Sequence, residues 1–428
     1  MTAVEHVEYV ETVVVGAGQQ GCGAAAALQE LGHEALVLER GEIGQAWAHE
    51  RWDSLLVGSG NRSVRFPGRE YDGDDPDGFM SGPELARHLR RYTQERRLQV
   101  REHTSVREVE CLPDASDHDE VRFRTHLSAG GAVESRNLVV AVGGYAAPRT
   151  PALTTDVDPS VHQLHSRYYR NPAALPDGAV LVVGAGISGQ QIAHELVSAG
   201  RRTFLSVGRH RAWPRHYRGR GLLEWLSALS LYDDFGTVGG DGGSVLPGLP
   251  VTAVRDKRED LNVGTLAARG VTLVGSVRAA DGGTLLLKDN VVAVAEESAR
   301  SFDDRIRRRG FVAPEEKPAP EVPMEHVADF GEQLDLAHHG ITTIVWCTGF
   351  GPDYRILPRH VLDENGAPIQ EKGLLGVLPG LYYAGLPDGN YVVPVGISAN
   401  VENGRTLARL IHVDHVMRSG SSESLVKR

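Results

Sequence analysis

Two stretches of this chain repeat one hydrophobic pattern: a short run of β-branched apolar residues, a turn, then a dozen residues rich in Ala, Leu and Gln. The first run is Glu11-Thr12-Val13-Val14-Val15 and the second is Val180-Leu181-Val182-Val183. Unbroken apolar runs of this length read as strands buried on both faces, as in a parallel sheet covered by helices. The pattern predicts a strand over 11–15, a helix over 19–31 and a second strand over 35–38. It predicts the same succession again from 179, with a helix over 187–199 and a strand over 203–207. Between the two repeats a helix is expected from Ser81 to Glu95, with Ser81 as its N-cap and Glu84 as the capping-box partner. Short alternating segments at 105–110, 121–127 and 136–141 predict an antiparallel β-element. Further on, a charged helix over 289–309, a Pro/Glu linker over 313–323 and a final helix over 400–417 are expected. The strand Ile341–Trp346 is expected to return the chain to its first unit.

The turns of the two repeats add chemistry. They are Gly16-Ala17-Gly18-Gln19-Gln20-Gly21 and Gly184-Ala185-Gly186-Ile187-Ser188-Gly189. In such a turn the first glycine permits the tight strand-to-helix bend, and the second lets backbone approach a pyrophosphate. The third lets helix and strand pack closely, so that the helix N-terminus faces the phosphates. Such turns also occur in βα units that bind nothing, but two of them in this context point to two dinucleotides, a flavin and a nicotinamide. Glu39 ends the second strand of the first repeat, about 20 residues beyond its glycines, where a carboxylate accepts both hydroxyls of an unphosphorylated ribose. The second repeat has Gly208-Arg209-His210-Arg211 at that place, and Arg209 suits the extra phosphate of NADP.

Composition narrows the class. A chain of 428 residues with 41% hydrophobic and 24% charged residues is long enough for two or three domains. Its formal charge of −11 argues against nucleic acid or an anionic membrane as partner. Cys22, Cys111 and Cys347 form no C-x-x-C pair, which disfavours a redox-dithiol flavoprotein. The 18 histidines show no H-E-x-x-H motif and no Cys/His cluster, so no metal site is expected. No signal peptide and no membrane-length apolar run is evident, and the expected location is cytoplasmic.

The order of motifs resembles the group B flavoprotein monooxygenases, which include the flavin-containing monooxygenases, and more closely their bacterial relatives associated by name with potassium transport. The resemblance runs from about residue 9 to 412. Besides the two glycine turns, the segment from Ala141 to Pro151, which includes Gly143, is similar to the family's A-T-G-x-x-x-x-P-x-x-P linker. Cys347-Thr348-Gly349-Phe350 resembles its second A-T-G segment. His165 and Tyr169 match the end of the signature F-x-G-x-x-x-H-x-x-x-[YFW], whereas Pro159 and Val161 stand where it has Phe and Gly. Tyr169 matches the heteroatom-oxidising branch, since Baeyer–Villiger enzymes carry Trp there. Gly385-Leu386 stands where disulfide reductases have the Gly-Asp that holds the flavin ribityl chain, leaving Asp388 or backbone at 397–399 for that contact.

The resemblance implies an α/β fold of two Rossmann-like dinucleotide-binding domains, one inserted in the other: FAD at 1–175 and 336–428, NADPH at 176–335 with an irregular segment at 214–265. That segment either shapes substrate entry or is a surface loop. Implied cofactor contacts are Gly16, Gly18, Gln20, Gly21, Glu39, Arg40, Trp47, Ala141, Gly143, Gly184, Gly186, Ser188, Gly189, Arg209, Thr348, Gly349 and Gly385. The implied activity is NADPH-dependent oxygenation of a small molecule at N or S, with O2 consumed through a flavin C4a-(hydro)peroxide. Asn61 either donates a hydrogen bond to that adduct or makes a turn before Arg62. His165 and Tyr169 are expected to organise the linker rather than perform chemistry. A flavoprotein oxidase or dehydrogenase, and a redox-sensing binding protein, are the competing readings. A homodimer is the candidate assembly.

Overall fold

The computed structural model describes residues 7–58, 60–112, 121–208, 261–288, 331–371, 373–386 and 399–425, with isolated positions besides. Arg209, Asp388, most of 214–265 and of 289–309, and the linker at 313–323 lie outside the described residues.

The first repeat folds as β1 (Val7–Val15), α1 (Gln19–Glu30) and β2 (Ala35–Leu38), with β2 parallel to β1. Val13, Val14 and Val37 are fully buried, the two-faced burial that an unbroken apolar run requires. A short helix α2 (Gln45–His49) precedes α3 (Gly82–Arg96) and β3 (Gln99–Arg101), which pairs parallel with β2. Ser81 caps α3 through the expected reciprocal capping box with Glu84. The alternating segments become β4 (Val106–Cys111), β5 (Phe123–Leu127) and β6 (Ala132–Val140), paired antiparallel in succession. β6 begins earlier than its alternating stretch suggests. Its last residues, Leu138 to Val140, are buried because they run parallel to β1 at the centre of the sheet.

The chain then leaves through β7 (Ala147–Pro148) and enters a second sheet at β8 (His162–His165). The second repeat supplies β9 (Ala179–Val183), α4 (Ile187–Ser198) and β10 (Thr203–Ser206). Beyond it come α5 (Val263–Ala268), β11 (Thr272–Val274) and a three-stranded antiparallel element of β12 (Ser276–Asp281), β13 (Thr284–Lys288) and β14 (Gln333–Asp335). Next are β15 (Ile341–Trp346) and β16 (Phe350–Gly351). Strands β17 (Gln370–Glu371), β18 (Leu375–Gly376) and β19 (Leu381–Tyr383) then complete the first sheet, in the order β17-β18-β19-β6-β1-β2-β3. The long helix α6 (Ala399–Leu425) follows.

The placement of β15 corrects the sequence reading. Instead of rejoining the first sheet, it lies between β9 and β8, parallel to both, in the order β11-β10-β9-β15-β8. Thr343 to Trp346 are all buried, so the strand needs neighbours on both edges and cover on both faces, which that slot provides. Trp346 Nε1 donates to Gln163 Oε1 on β8 at 3.1 Å. The chain crosses back only afterwards, where β16 pairs antiparallel with β7. The two crossings therefore run side by side. Helices α1 and α6 meet almost backbone to backbone: a Cβ on Gly404 would lie 2.8 Å from the Gly23 carbonyl oxygen. Among the described residues no helix is long and apolar enough to cross a membrane.

Candidate functional site

Both glycine turns have the same geometry. Gly16 (φ +108°) and Gly184 (φ +107°) occupy the left-handed region, where a side chain is strained. A Cβ on Gly16 would lie 2.6 Å from the Ala141 carbonyl oxygen, and one on Gly184 would lie 2.6 Å from that of Cys347. The third glycines, Gly21 and Gly189, press on the first glycines' carbonyl oxygens, at 1.9 and 1.8 Å from a would-be Cβ. The second glycines differ from both. Around Gly18 and Gly186 a Cβ would meet nothing within 4 Å, although each caps its helix with no side-chain hydrogen bond. Space is thus kept open at two uncapped helix N-termini, whose dipole favours an anion. Ser188 lies in the first turn of α4, just beyond Gly186.

Glu39 is buried, and its carboxylate braces the first turn. One oxygen accepts the Ala17 N–H at 2.7 Å and the other the Gly41 N–H at 3.0 Å. A carboxylate has about four acceptor positions, so capacity for two hydroxyls remains. Trp47 donates Nε1–H to Gln19 Oε1 at 2.8 Å. A Cβ on Gly385 (φ +79°) would lie 2.6 Å from Gln20 Cγ, which brings the end of β19 against α1. Gln20 Oε1, Trp52 Nε1 and Asn61 Oδ1 are buried and have no hydrogen-bond partner among the described residues. Buried polar atoms are ordinarily satisfied, so the open Gln20 oxygen in the first glycine turn leaves room for a polar partner there. The clear space at Gly18, the remaining acceptor positions of Glu39 and the Gln20 oxygen are a set that an FAD would fit.

Asn61 opens a single 3-10 turn and is buried. Its Nδ2 donates to the Asp75 carbonyl at 2.8 Å, which uses one of its two amide hydrogens.

The crossings hold most of the remaining candidates. Gly143 (φ +79°) and Gly349 (φ +92°) are both left-handed, with nothing within 4 Å of a Cβ. Thr348 Oγ1 donates to the Arg149 carbonyl at 2.5 Å, tying one crossing to the other. His165 Nε2 donates to the Gly349 carbonyl at 2.9 Å, and its Nδ1 accepts the Arg167 N–H at 3.2 Å. Burial, only partly offset by the bond to Gly349, lowers its pKa and keeps the ring neutral. Tyr169 is fully buried and donates to Glu195 at 2.7 Å, with burial foremost in raising its pKa. His165 thus ties its strand to the Gly349 crossing, and Tyr169 ties the following turn to the helix α4.

Sequence reasoning missed Arg51. Its guanidinium lies 5.5 Å from the ring centroid of Trp47, 5.8 Å from Tyr145 and 5.7 Å from Phe350, joining α2 to both crossings. Glu50 beside it pairs with Arg167 at 2.9 Å and with Arg40 at 2.5 Å, so Arg40 is held by an ion pair. Charge between two tryptophans (Trp47 to Trp52) was the available signal. Histidines that form no cluster along the sequence do meet in three dimensions: His33 and His415 meet Glu11, and His412 meets His33.

The pyridine nucleotide-disulphide oxidoreductase family model matches residues 13–219. An oxidoreductase of Geobacillus kaustophilus named CzcO-like is 28% identical over 88% of this chain and 91% of its own length. The indole-3-pyruvate monooxygenase YUCCA1 of Oryza sativa subsp. japonica is 28% identical over 52% of this chain and 55% of its own. In sequence the chain is thus similar to oxidoreductases of this kind and to plant flavin-dependent monooxygenases. In fold, the family resemblance extends to a solved flavin-containing monooxygenase from Stenotrophomonas maltophilia. The two superpose with a TM-score of 0.66 at 20% identity, covering 95% of this chain and 99% of that one. Matches along this length are what two Rossmann-like units joined by paired crossings require.

Proposed function

We propose that the protein is an NADPH-consuming FAD monooxygenase that oxygenates a small molecule at nitrogen or sulfur. The observation that carries this is the duplicated glycine turn, with open space over Gly18 and Gly186 and different residues after each second strand. Glu39, with two acceptor positions left, favours the unphosphorylated ribose of FAD at the first turn. Arg209 favours the 2′-phosphate of NADPH at the second, although it lies outside the described residues. Residues 1–175 and 336–428 would then hold FAD and 176–335 NADPH, except that β8 and β15 belong with the second sheet.

When bound, FAD supplies two-electron transfer and reaction with O2. The chain's own residues bind, orient and exclude water. Gly16, Gly18 and Gly21 let the backbone approach the pyrophosphate, and Gln20 and Gly385 close over that side. Ala141, Gly143, Thr348 and Gly349 form the crossings between the nucleotides, held in register by His165. Trp47 and Arg51 cover the junction, with Arg40 anchored through Glu50. Asn61 keeps one amide hydrogen to offer a developing negative charge.

The engagement of Asn61 with Asp75 favours a second reading, an NADPH oxidase without oxygen transfer, because only one donor remains. Coupling separates the two. The purified flavoprotein is mixed with NADPH or NADH, O2 and a probe thioether or tertiary amine, and sulfoxide or N-oxide is counted against H2O2. The monooxygenase reading predicts oxygenated product with NADPH, and H2O2 in its place for Asn61→Ala. H2O2 alone in the wild type, with every probe, supports the oxidase. Arg209→Ala should raise KM for NADPH far more than KM for NADH; equal effects would remove the NADPH assignment.

A further inference from the structure

Far from the glycine turns, three elements bring together side chains that the flavin chemistry does not use. Glu11 projects from β1, His33 from the turn after α1, and His412 and His415 from successive turns of α6. His415 Nδ1 lies 3.1 Å from Glu11 Oε1, and His33 Nδ1 lies 3.4 Å from the same carboxylate. The three ligand atoms all fall within 4.8 Å of one another. His33 is buried, the Glu11 side chain is 26% exposed and that of His415 48%.

We propose that Glu11, His33 and His415 form a binding site for a zinc-class divalent cation. Zinc–nitrogen and zinc–oxygen bonds of about 2.0–2.1 Å set tetrahedral ligand–ligand separations of about 3.3 Å. The two spacings to Glu11 bracket that value. Two imidazoles and one carboxylate suit zinc, nickel or copper better than magnesium or calcium, which take oxygen ligands. Both candidate nitrogens are Nδ1, which leaves each Nε2 to carry the proton. His33 Nε2 already has its partner, His412 Nδ1 at 3.0 Å, and an outer hydrogen bond of this kind fixes the tautomer of a ligating histidine. The exposed side at His415 leaves the fourth position to water. The ring contacts of His33 with His412 and His415, with centroids 5.3 and 5.1 Å apart, hold the imidazoles edge to face.

Without a cation the same geometry is a set of hydrogen bonds: the Nδ1–H groups of His33 and His415 to Glu11, and that of His412 to His33. A cation moves the two protons facing Glu11 onto the Nε2 atoms, and His412 shifts its own proton from Nδ1 to Nε2 so that its Nδ1 accepts the His33 Nε2–H. The bound ion would pin α6 to β1 and to the end of α1, reinforcing the helix pair that meets at Gly23 and Gly404.

The test is calorimetric titration of the metal-stripped, FAD-loaded protein with zinc sulfate, alongside cobalt(II) absorption spectra. One equivalent should bind, with intense visible bands of a four-coordinate site when cobalt is used. His415→Ala, a change at an exposed side chain, should weaken that equivalent at least a hundredfold and abolish the bands. His412→Ala should weaken it only about tenfold, as for an outer-shell partner. Unchanged affinity in His415→Ala overturns the proposal, as does loss of the same equivalent in variants of the separate histidine pair His338 and His339, which lies beside Phe204. Only weak, six-coordinate cobalt bands in the wild type would overturn it as well.

Discussion

Substituting alanine for single glycines of the first turn separates space kept for a ligand from space taken by the fold. Gly18 has ordinary extended backbone (φ −81°, ψ −176°) and nothing within 4 Å of a would-be Cβ. Alanine there lowers unfolded-chain entropy, worth about 0.4–1 kcal/mol, and is a poorer N-cap by a similar amount. The flavin-free protein should therefore keep its stability to within about 1 kcal/mol. The added methyl stands where backbone N–H groups reach the pyrophosphate. Losing one such charged hydrogen bond costs about 1.5–3 kcal/mol, or about ten- to a hundredfold in FAD affinity. Gly21 is the opposite case: its Cβ would sit 1.9 Å from the Gly16 carbonyl oxygen, so α1 must shift by about 1 Å. Overpacking of that kind costs about 3 kcal/mol before any ligand is added. Urea unfolding of deflavinated protein reads the first quantity and quenching of FAD fluorescence on titration reads the second. A Gly18→Ala protein that holds FAD as tightly as wild type refutes the reserved space. A Gly21→Ala protein with unchanged unfolding refutes the close approach.

Three other outcomes are expected. Burial raises the pKa of Tyr382 to about 12, and those of Tyr92, Tyr169 and Tyr383 further still. Raised values mean the native state holds these protons more tightly, so stability is full below about pH 10 and falls above it by about 1.4 kcal/mol per pH unit for each tyrosine. Urea midpoints from pH 8 to 11 check this, and Tyr169→Phe should reduce the slope by one proton. For His165 the shift is downward, so its contribution is present above about pH 6.5 and is lost as pH falls through the native value. Protection of the Phe350 and Gly351 amides against exchange should fall on acidification and in His165→Ala, which removes one of the two hydrogen bonds at the Gly349 carbonyl, the other coming from the Arg149 N–H, at a cost of about 0.5–1.5 kcal/mol. Exchange that ignores both changes would contradict the bracing role. Replacing Arg51 with Met, of similar length but uncharged, should cost about 1–3 kcal/mol by urea unfolding, since three rings lose their cation.

What could be read from sequence was local. The glycine spacings, the apolar runs around them and the Ser81–Glu84 capping box are short-range patterns, and each formed within a residue or two of its expected place. The seat of β15 was not local. Ile341–Trp346 is apolar enough for the centre of either sheet, and the choice depends on β8 and β9, more than 150 residues earlier. Distance in sequence also hid the histidines: His33 and His412 are 379 positions apart and touch only because α6 lies along α1. Arg51 was passed over because two of its three rings, Tyr145 and Phe350, come from the separate crossings. Asn61 was legible as a candidate, but its bond to Asp75 depends on how the 61–78 loop closes.

The central claim is that the two glycine turns serve different nucleotides, with electrons passing from the second site to the first. Anaerobic mixing of FAD-loaded wild type and Gly186→Ala with subsaturating NADPH, followed by loss of flavin absorbance, tests it most directly. The account predicts rapid bleaching in the wild type. In the variant it predicts full retention of FAD, with bleaching slowed at least about tenfold for one lost phosphate contact. Equal bleaching rates, or loss of FAD from the variant, would contradict it.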